Sequence, residues 1–410
     1  MMPNAKKHIL ILTADAGFGH RSVANAVAQA LQETHSGDCT VDIVNPLDDR
    51  RAPAMLRDSQ ADYDRLVREI PRIYRFGLQA SDAAVPFAIV QSALVVMLYE
   101  VMWDILRRTQ PDAIVVTYPM YHPPLQAIFT MRRMIIPTIT TITDLGYVHG
   151  MWFNKKVDLL LVGSNLVRAQ AIACGIPARK IHVTGIPVHP ALAHCDGTLQ
   201  ERRAALGWEP NLTTFLGVGS RRVTNLPEVA NALNHSGFPV QLALVAGGDE
   251  DLLRKFQETH WHIPAHIYGY VDNMPAMIHA ADAIISKAGG LIITEALACG
   301  LPMLLVDVIP GQEVGNAEFV VSNGAGEIAT DCIAGLETVC HWLENNGALL
   351  AERTANAMRL GKPNAAYETA EIAWLAAQRG ATIKPARTSR RAQRIRKMLD
   401  RSHVPWDDEN

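Results

Sequence analysis

The chain is poor in most of the signals that place a protein at once. It holds six cysteines, Cys39, Cys174, Cys195, Cys299, Cys332 and Cys340, with no C-x-x-C pair and no Cys/His spacing of a zinc site. A disulfide framework is excluded as the organising device, and unpaired thiols in a reducing compartment are expected. Neither sign of charge is in much excess: 38 Lys and Arg against 41 Asp and Glu leave a net charge of −3 and a pI near 6.6, which argues against nucleic acid as the main partner. The start, Met1 to Lys7, lacks the basic-then-apolar order of a signal peptide, because the apolar run His8 to Thr13 is too short. A cytoplasmic location is therefore expected. No short-period repeat is present, so a solenoid is excluded. Long apolar runs are few. The charge-free stretch Ala83 to Tyr99 falls short of a membrane span and contains Pro86, Gln91 and Ser92, which favours a buried or membrane-dipping helix.

What is there is an alternation of strand-like and helix-like segments. With 410 residues, 49% of them hydrophobic, the chain has material for two α/β cores. His8 to Thr13 is followed by Val23, Ala26, Val27, Ala30 and Leu31 at helical spacing, then by the β-branched run Val41 to Val44, which makes a βαβ unit. Ala113–Thr117, Thr138–Ile142, Leu159–Val162 and Ile181–Val183 continue the series. The texture then loosens through Pro187, Pro190, Asp196, Gly197 and Thr198, where an interdomain linker is expected. Thr213–Gly217, Val240–Ala246, His266–Tyr268, Ala283–Ser286 and Met303–Val306 restart the alternation. These segments predict two doubly wound domains facing one cleft, residues 1–195 and 196–365. An alanine-rich helix within 366–380 is expected to pack back toward the first domain, and a basic, mobile tail over 381–410 to follow.

Ligands of doubly wound sheets collect at the carboxyl ends of the strands. Gly17-Phe18-Gly19-His20 lies there behind the first strand. Its glycines let the turn come near a ligand, the helix start favours negative charge, and a neutral imidazole at His20 is placed to take a proton from an attacking hydroxyl. A dinucleotide fingerprint fits poorly. The third glycine is missing, and the next strand ends in Asn45 where an acid is wanted.

A second constellation runs from Ser286 to Asn316. Lys287-Ala288-Gly289-Gly290 joins a strand to a helix, and a carboxylate at Glu295, inside that helix, can accept both hydroxyls of a ribose. After the next strand, Pro310-Gly311-Gln312-Glu313 and Asn316 cluster donors and acceptors suited to sugar hydroxyls.

In this order, G-x-G-H, Thr143-Asp144, Val183-Thr184-Gly185-Ile186-Pro187, Gly289-Gly290 with Thr294-Glu295-Ala296, and Pro-Gly-Gln-Glu before Asn316, the chain resembles a family of lipid glycosyltransferases. This is the monogalactosyldiacylglycerol synthase and processive diacylglycerol glucosyltransferase group of glycosyltransferase family 28. A more distant resemblance is to the peptidoglycan N-acetylglucosaminyltransferase. The match covers about residues 8 to 365.

The resemblance implies an α/β protein of GT-B fold, two Rossmann-like domains, with the acceptor bound by the first and a UDP-sugar by the second. It implies an inverting enzyme that needs no cofactor and no metal to hold the donor. His20 falls on the catalytic histidine, and Asp144 is expected to orient it or the acceptor hydroxyl. Gly219, Ser220, Arg221, Gly247, Val271, Lys287, Gly289, Gly290, Glu295, Gly311, Gln312, Glu313 and Asn316 fall on the donor side. Gly19, His149 and Trp152 fall on the acceptor side, the last two within Thr143-Asp144-Leu145-x-x-x-His149-x-x-Trp152-Phe153. Two departures stand out. The donor-side glycine run is replaced by Gly217-Val218-Gly219-Ser220-Arg221-Arg222, whose arginines can pair with a diphosphate, and Lys287-Ala288 replaces the commoner Lys-Pro.

A diacylglycerol acceptor implies a peripheral association with the cytoplasmic face of a membrane, with anionic lipids as partners. Arg65, Arg68, Arg72 and Arg75, interleaved with Leu66, Tyr74 and Phe76, are expected to give one basic helical face for it. Two alternatives stay open here: transfer to a polyprenyl-linked saccharide, and a UDP-N-acetylglucosamine 2-epimerase, which shares the fold and needs no lipid.

Overall fold

The structure, a computed structural model, describes residues 6–16, 18–54, 56–57, 84–310, 313–383 and 390–406. Contacts divide the chain into two units. The first comprises Met1–Thr143, Val148–Pro187 and Ala365–Asn410; the second comprises Asp144–Tyr147 and Val188–Asn364.

The first unit is built on a six-stranded sheet. Its strands are β1 (Lys7–Leu12), β2 (Cys39–Val44), β3 (Ala113–Val116), β5 (Thr138–Thr141), β6 (Leu159–Leu161) and β7 (Ile181–His182), in the order β2-β1-β3-β5-β6-β7. Every pairing is parallel. The central strands read as unbroken apolar runs because helices cover both faces of a parallel sheet. Ile9, Leu10 and Ile11 of β1 and all of β3 are fully buried. The winding reverses between β1 and β3, so the loops leaving these strands open the crevice where ligands bind. A small antiparallel pair, β4 (Met134–Ile135) with β14 (Thr382–Ile383), brings the chain's end back to this unit.

One helix of this unit, Ala84–Thr109, carries most of the charge-free stretch. Leu94, Leu98, Tyr99, Met102 and Ile105 bury one face of it in the core. Its stretch Ala88–Thr109 is the one described helix long and apolar enough to cross a membrane, by length and composition, and 44% of its apolar window is buried in protein. The helix Ala365–Arg379 lies on Phe18–His35, with Ala366, Ala370, Ala373 and Ala377 making a buried stripe of small side chains. His35 fixes that contact by stacking on Trp374 and bonding Glu371 at 3.0 Å.

Part of the segment expected to be a basic, mobile tail has regular structure. Arg390–Arg401 is a helix, and Leu399 is fully buried in the same core as Leu98. Composition alone reads as solvated because one apolar stripe among so many arginines is easily overlooked. Lys384, Arg387 and the acidic end Asp407–Glu409 lie outside the described residues, as do Arg65, Arg68, Arg72 and Arg75.

The second unit repeats the plan with β8 (Thr213–Val218), β9 (Val240–Val245), β10 (Ala265–Tyr268), β11 (Ala283–Lys287), β12 (Met303–Asp307) and β13 (Gly326–Ile328). Their order is β10-β9-β8-β11-β12-β13, again all parallel, with the reversal between β8 and β11. Residues 188–198, read as linker, pack with this unit, and Thr198 starts the helix Leu199–Ala205 with a capping box closed by Glu201.

Candidate functional site

In the first unit the turn after β1 runs straight into the helix Phe18–His35, which sets His20 in its first turn. Residues just past the ends of β3 and β5 surround it. Thr143, just beyond β5, places its hydroxyl 3.2 Å from Nδ1. Thr117, after β3, donates its hydroxyl to the His20 carbonyl at 3.3 Å. The Tyr118 ring packs edge-on at 5.0 Å, and Trp152 lies 6.0 Å away. Burial holds the ring's pKa down at about 4, against a smaller opposing effect of a hydrogen bond between the ring and the Thr117 backbone, so the imidazole is neutral at pH 7. A Cβ at Gly19 would meet nothing within 4 Å, so space beside the helix start is open.

Trp152 is 4% exposed and belongs to the core with Val148 and Leu160. His149 holds it in place: its Nδ1 accepts from the Met151 N–H at 3.2 Å and closes the short turn Gly150–Trp152. Asp144 is expected to orient either His20 or the acceptor hydroxyl; the side chain set beside the imidazole is the hydroxyl of Thr143, one residue earlier, because the end of β5 directs it toward the helix start. Gly17 lies outside the described residues.

In the second unit most of the described residues expected on the donor side gather at the ends of β8, β9, β11 and β12. Lys287, ending β11, forms an ion pair with Glu313, whose other oxygen accepts from the Ile309 N–H at 3.1 Å. Glu313 is 4% exposed, so its carboxylate is fully engaged by these groups. A Cβ at Gly289 would sit 2.6 Å from the Lys287 ammonium, so only glycine leaves room for that cation at the helix start. The helix Gly290–Ala298 has no side-chain cap, and the amides of its first turn have no acceptor among the described residues. Together with Lys287 they make a site for anionic groups.

Glu295 lies half-buried on that helix with no hydrogen-bond partner among the described residues. Burial pushes its pKa up to about 8. Asn316, expected to face a sugar, is 1% exposed and spent on protein: it donates to Asp144 at 3.2 Å and accepts from the Leu145 N–H at 3.0 Å. Asp144 is held mainly by burial at a pKa of about 6, the Asn316 bond opposing and the Glu313 charge adding to the rise. Gly311 and Gln312 lie outside the described residues.

Gly219 and Gly247 are packing positions. A Cβ on Gly219 would come 2.4 Å from Leu252, and one on Gly247, at φ +63°, would come 2.3 Å from the Gly219 carbonyl. The Ser220 Oγ accepts from the Arg222 N–H at 3.3 Å. Arg221 is exposed and has no acidic partner among the described residues. Val271 is half-buried in the loop after β10.

Two features escaped the sequence reading. Asp307, ending β12, accepts from the Thr224 N–H and hydroxyl, both at 2.8 Å, and from the Asn225 N–H and amide at 3.1 and 3.2 Å. It thereby ties down the loop that carries Ser220 and Arg221. Gly146 and Gly315 meet backbone to backbone: a Cβ on Gly146 would fall 2.1 Å from the Gly315 carbonyl carbon. All six cysteines are free.

The sequence matches the family model for monogalactosyldiacylglycerol (MGDG) synthase over residues 20–188 and the glycosyltransferase family 28 C-terminal domain over residues 215–369. A probable monogalactosyldiacylglycerol synthase 2, chloroplastic, of Oryza sativa subsp. indica is 30% identical over 389 residues, 92% of this chain and 82% of the rice protein. Among solved structures, Acinetobacter baumannii MurG has a TM-score of 0.58 at 18% identity, covering 90% of this chain and 99% of its own. A UDP-N-acetylglucosamine 2-epimerase scores 0.55 at 13% identity, covering 94% and 99%. These likenesses show the expected fold, GT-B with two Rossmann-like domains. The fold does not separate transfer from epimerisation; the sequence families do.

Proposed function

We propose, from the premise that this chain belongs to the monogalactosyldiacylglycerol synthase family, that it moves a hexose from a UDP-sugar to the free hydroxyl of diacylglycerol. The chain is a glycosyltransferase of the glycolipid-forming kind. His20 is the general base. Its Nε2 takes the proton of the acceptor hydroxyl while that oxygen attacks C1 of the sugar from the face opposite UDP. The bond from C1 to the phosphate oxygen breaks, its electron pair leaves with UDP, and the anomeric centre inverts.

Charge on the departing diphosphate is met by the Lys287 ammonium, the first-turn amides of the helix Gly290–Ala298, and Arg221. One well-placed donor is worth about 3 kcal/mol in such a step. Glu295, ionised, accepts the ribose hydroxyls, and Gln312 meets the hexose. Glu313 acts by holding Lys287. Gly19 leaves room for the acceptor, and Trp152, braced by His149, walls its apolar side. The donor is UDP-galactose, after the relatives' name. The enzyme works peripherally on the cytoplasmic face of a membrane, where its acceptor resides.

A neutral imidazole just past the end of β1, its Nδ1 set beside the Thr143 hydroxyl, is what supports this reading most. Incubation with UDP-galactose, UDP-glucose or UDP-N-acetylglucosamine and diacylglycerol vesicles tests it by lipid mass. A lipid heavier by one hexose is expected with UDP-galactose. Hydrolysis or an isomerised sugar nucleotide, with lipid unchanged, would overturn it.

A further inference from the structure

The helix Arg390–Arg401 has two faces of opposite character. Leu399, Ile395 and Met398 anchor it to the core of the first unit, and the fold-back after it is locked by Trp406. The Trp406 indole donates to Asp400 at 2.6 Å and lies under the Arg396 guanidinium, 4.3 Å from the ring centroid. That engages the helix's one acid. Arg390, Arg394, Lys397 and Arg401 recur at i, i+4, i+7 and i+11, so they share the face opposite Leu399. All four are exposed, and none has an acidic partner among the described residues.

Beside this face runs an apolar strip from another element. Ile89, Ala93, Val96 and Met97 of the helix Ala84–Thr109 line a groove of about 720 Å³ that ends on Met398. Ile89, on this strip, is 65% exposed. Met398 also borders the hollow formed by Arg394, Lys397 and Arg401, so the apolar strip and the basic face adjoin.

We propose that this composite face docks the protein on an anionic lipid bilayer, the cations meeting lipid phosphates and the strip around Ile89 entering the acyl boundary. The chemistry selects this occupant. A phosphate-only partner such as nucleic acid makes no use of an apolar shelf, whereas a bilayer presents anionic headgroups directly over hydrocarbon. The net charge of −3 makes a localised cationic face an orienting device, turning one side of the molecule to the membrane. In purpose the inference rests on a bilayer-resident acceptor, but docking is measurable without donor or turnover.

The test is sedimentation of the full chain with phosphatidylcholine vesicles lacking or containing phosphatidylserine, at low and high salt. Binding is expected to require phosphatidylserine and to weaken with salt. The triple variant Arg394→Glu, Lys397→Glu, Arg401→Glu should lose at least about a hundredfold in partition coefficient. Ile89→Asp should lose affinity with little change in salt slope. Lys255→Glu, on the other unit's surface, should bind as the native chain does. Transfer to short-chain diacylglycerol in detergent should persist in the triple variant, so that failure of docking and failure of the transferase reading are told apart. Native-like vesicle binding by the triple variant would overturn the proposal, as would salt-insensitive binding, or retention on RNA but not on vesicles.

Discussion

Glu295 offers the sharpest linkage. A carboxyl with a pKa of about 8 is protonated in about nine molecules of ten at pH 7. To accept both ribose hydroxyls it must ionise, so donor binding must expel that proton. The expected release at pH 7 is about 0.9 proton per UDP-galactose bound, and ionisation costs about 1.4 kcal/mol there, falling to about 0.4 kcal/mol at pH 8. The dissociation constant should therefore tighten about tenfold between pH 6 and 7 and level off above 8. UDP-galactose is the suitable probe because its diphosphate diester does not titrate in that range. Calorimetric titration in buffers of differing ionisation enthalpy counts the protons, with Glu295→Gln as control. That variant should bind more weakly, with no proton release from this group and a flat pH dependence. An unchanged proton count in Glu295→Gln, or none in the native chain, would refute the reasoning.

His20→Ala should abolish transfer while leaving the UDP-galactose dissociation constant within a few fold; full activity would remove the base assignment. Lys287→Met strands the buried Glu313 carboxylate and should cost about 3–5 kcal/mol of stability in denaturant, much of it recovered in the double variant with Glu313→Leu. Gly146→Ala forces a methyl against the Gly315 backbone and should lower stability by about 1–3 kcal/mol, read as a shifted unfolding midpoint. Burial also holds the pKa of His122 down at about 4. The unfolded chain then binds the extra proton between about pH 6.5 and 4, so stability is full above 6.5 and falls as pH drops through that window, by on the order of 3 kcal/mol. His122→Leu should flatten this acid limb in thermal scans, and an unaltered limb would show the titration lies elsewhere.

The architecture was legible because parallel strands buried on both faces leave apolar runs such as Ile9–Leu12 and Leu242–Val245, each followed by a helical period. β13 was missed since Gly326-Glu327-Ile328 is three residues long and one-third polar, held by pairing with Met303–Leu305. Residue types announced His20 and Lys287, but not who holds them. Thr143 and Asp307 act through hydroxyl and carboxylate contacts that depend on strand order, which no local pattern encodes. The same blindness explains Asn316, whose place in the helix Val314–Ser322 lets it accept from the Leu145 amide, a contact no local pattern announces. The helix Arg390–Arg401 hid its buried Leu399 among charges.

Inverting transfer to a lipid hydroxyl, with His20 as base, leaves a stereochemical signature in its product. The most direct measurement is the anomeric configuration of the glycolipid formed from UDP-galactose and diacylglycerol, read by proton NMR for the native chain and for His20→Ala. A β-linked galactosyl lipid is expected from the native chain and none from the variant, whose UDP-galactose binding is intact. An α-linked product, or the same β-linked product from His20→Ala, would contradict it.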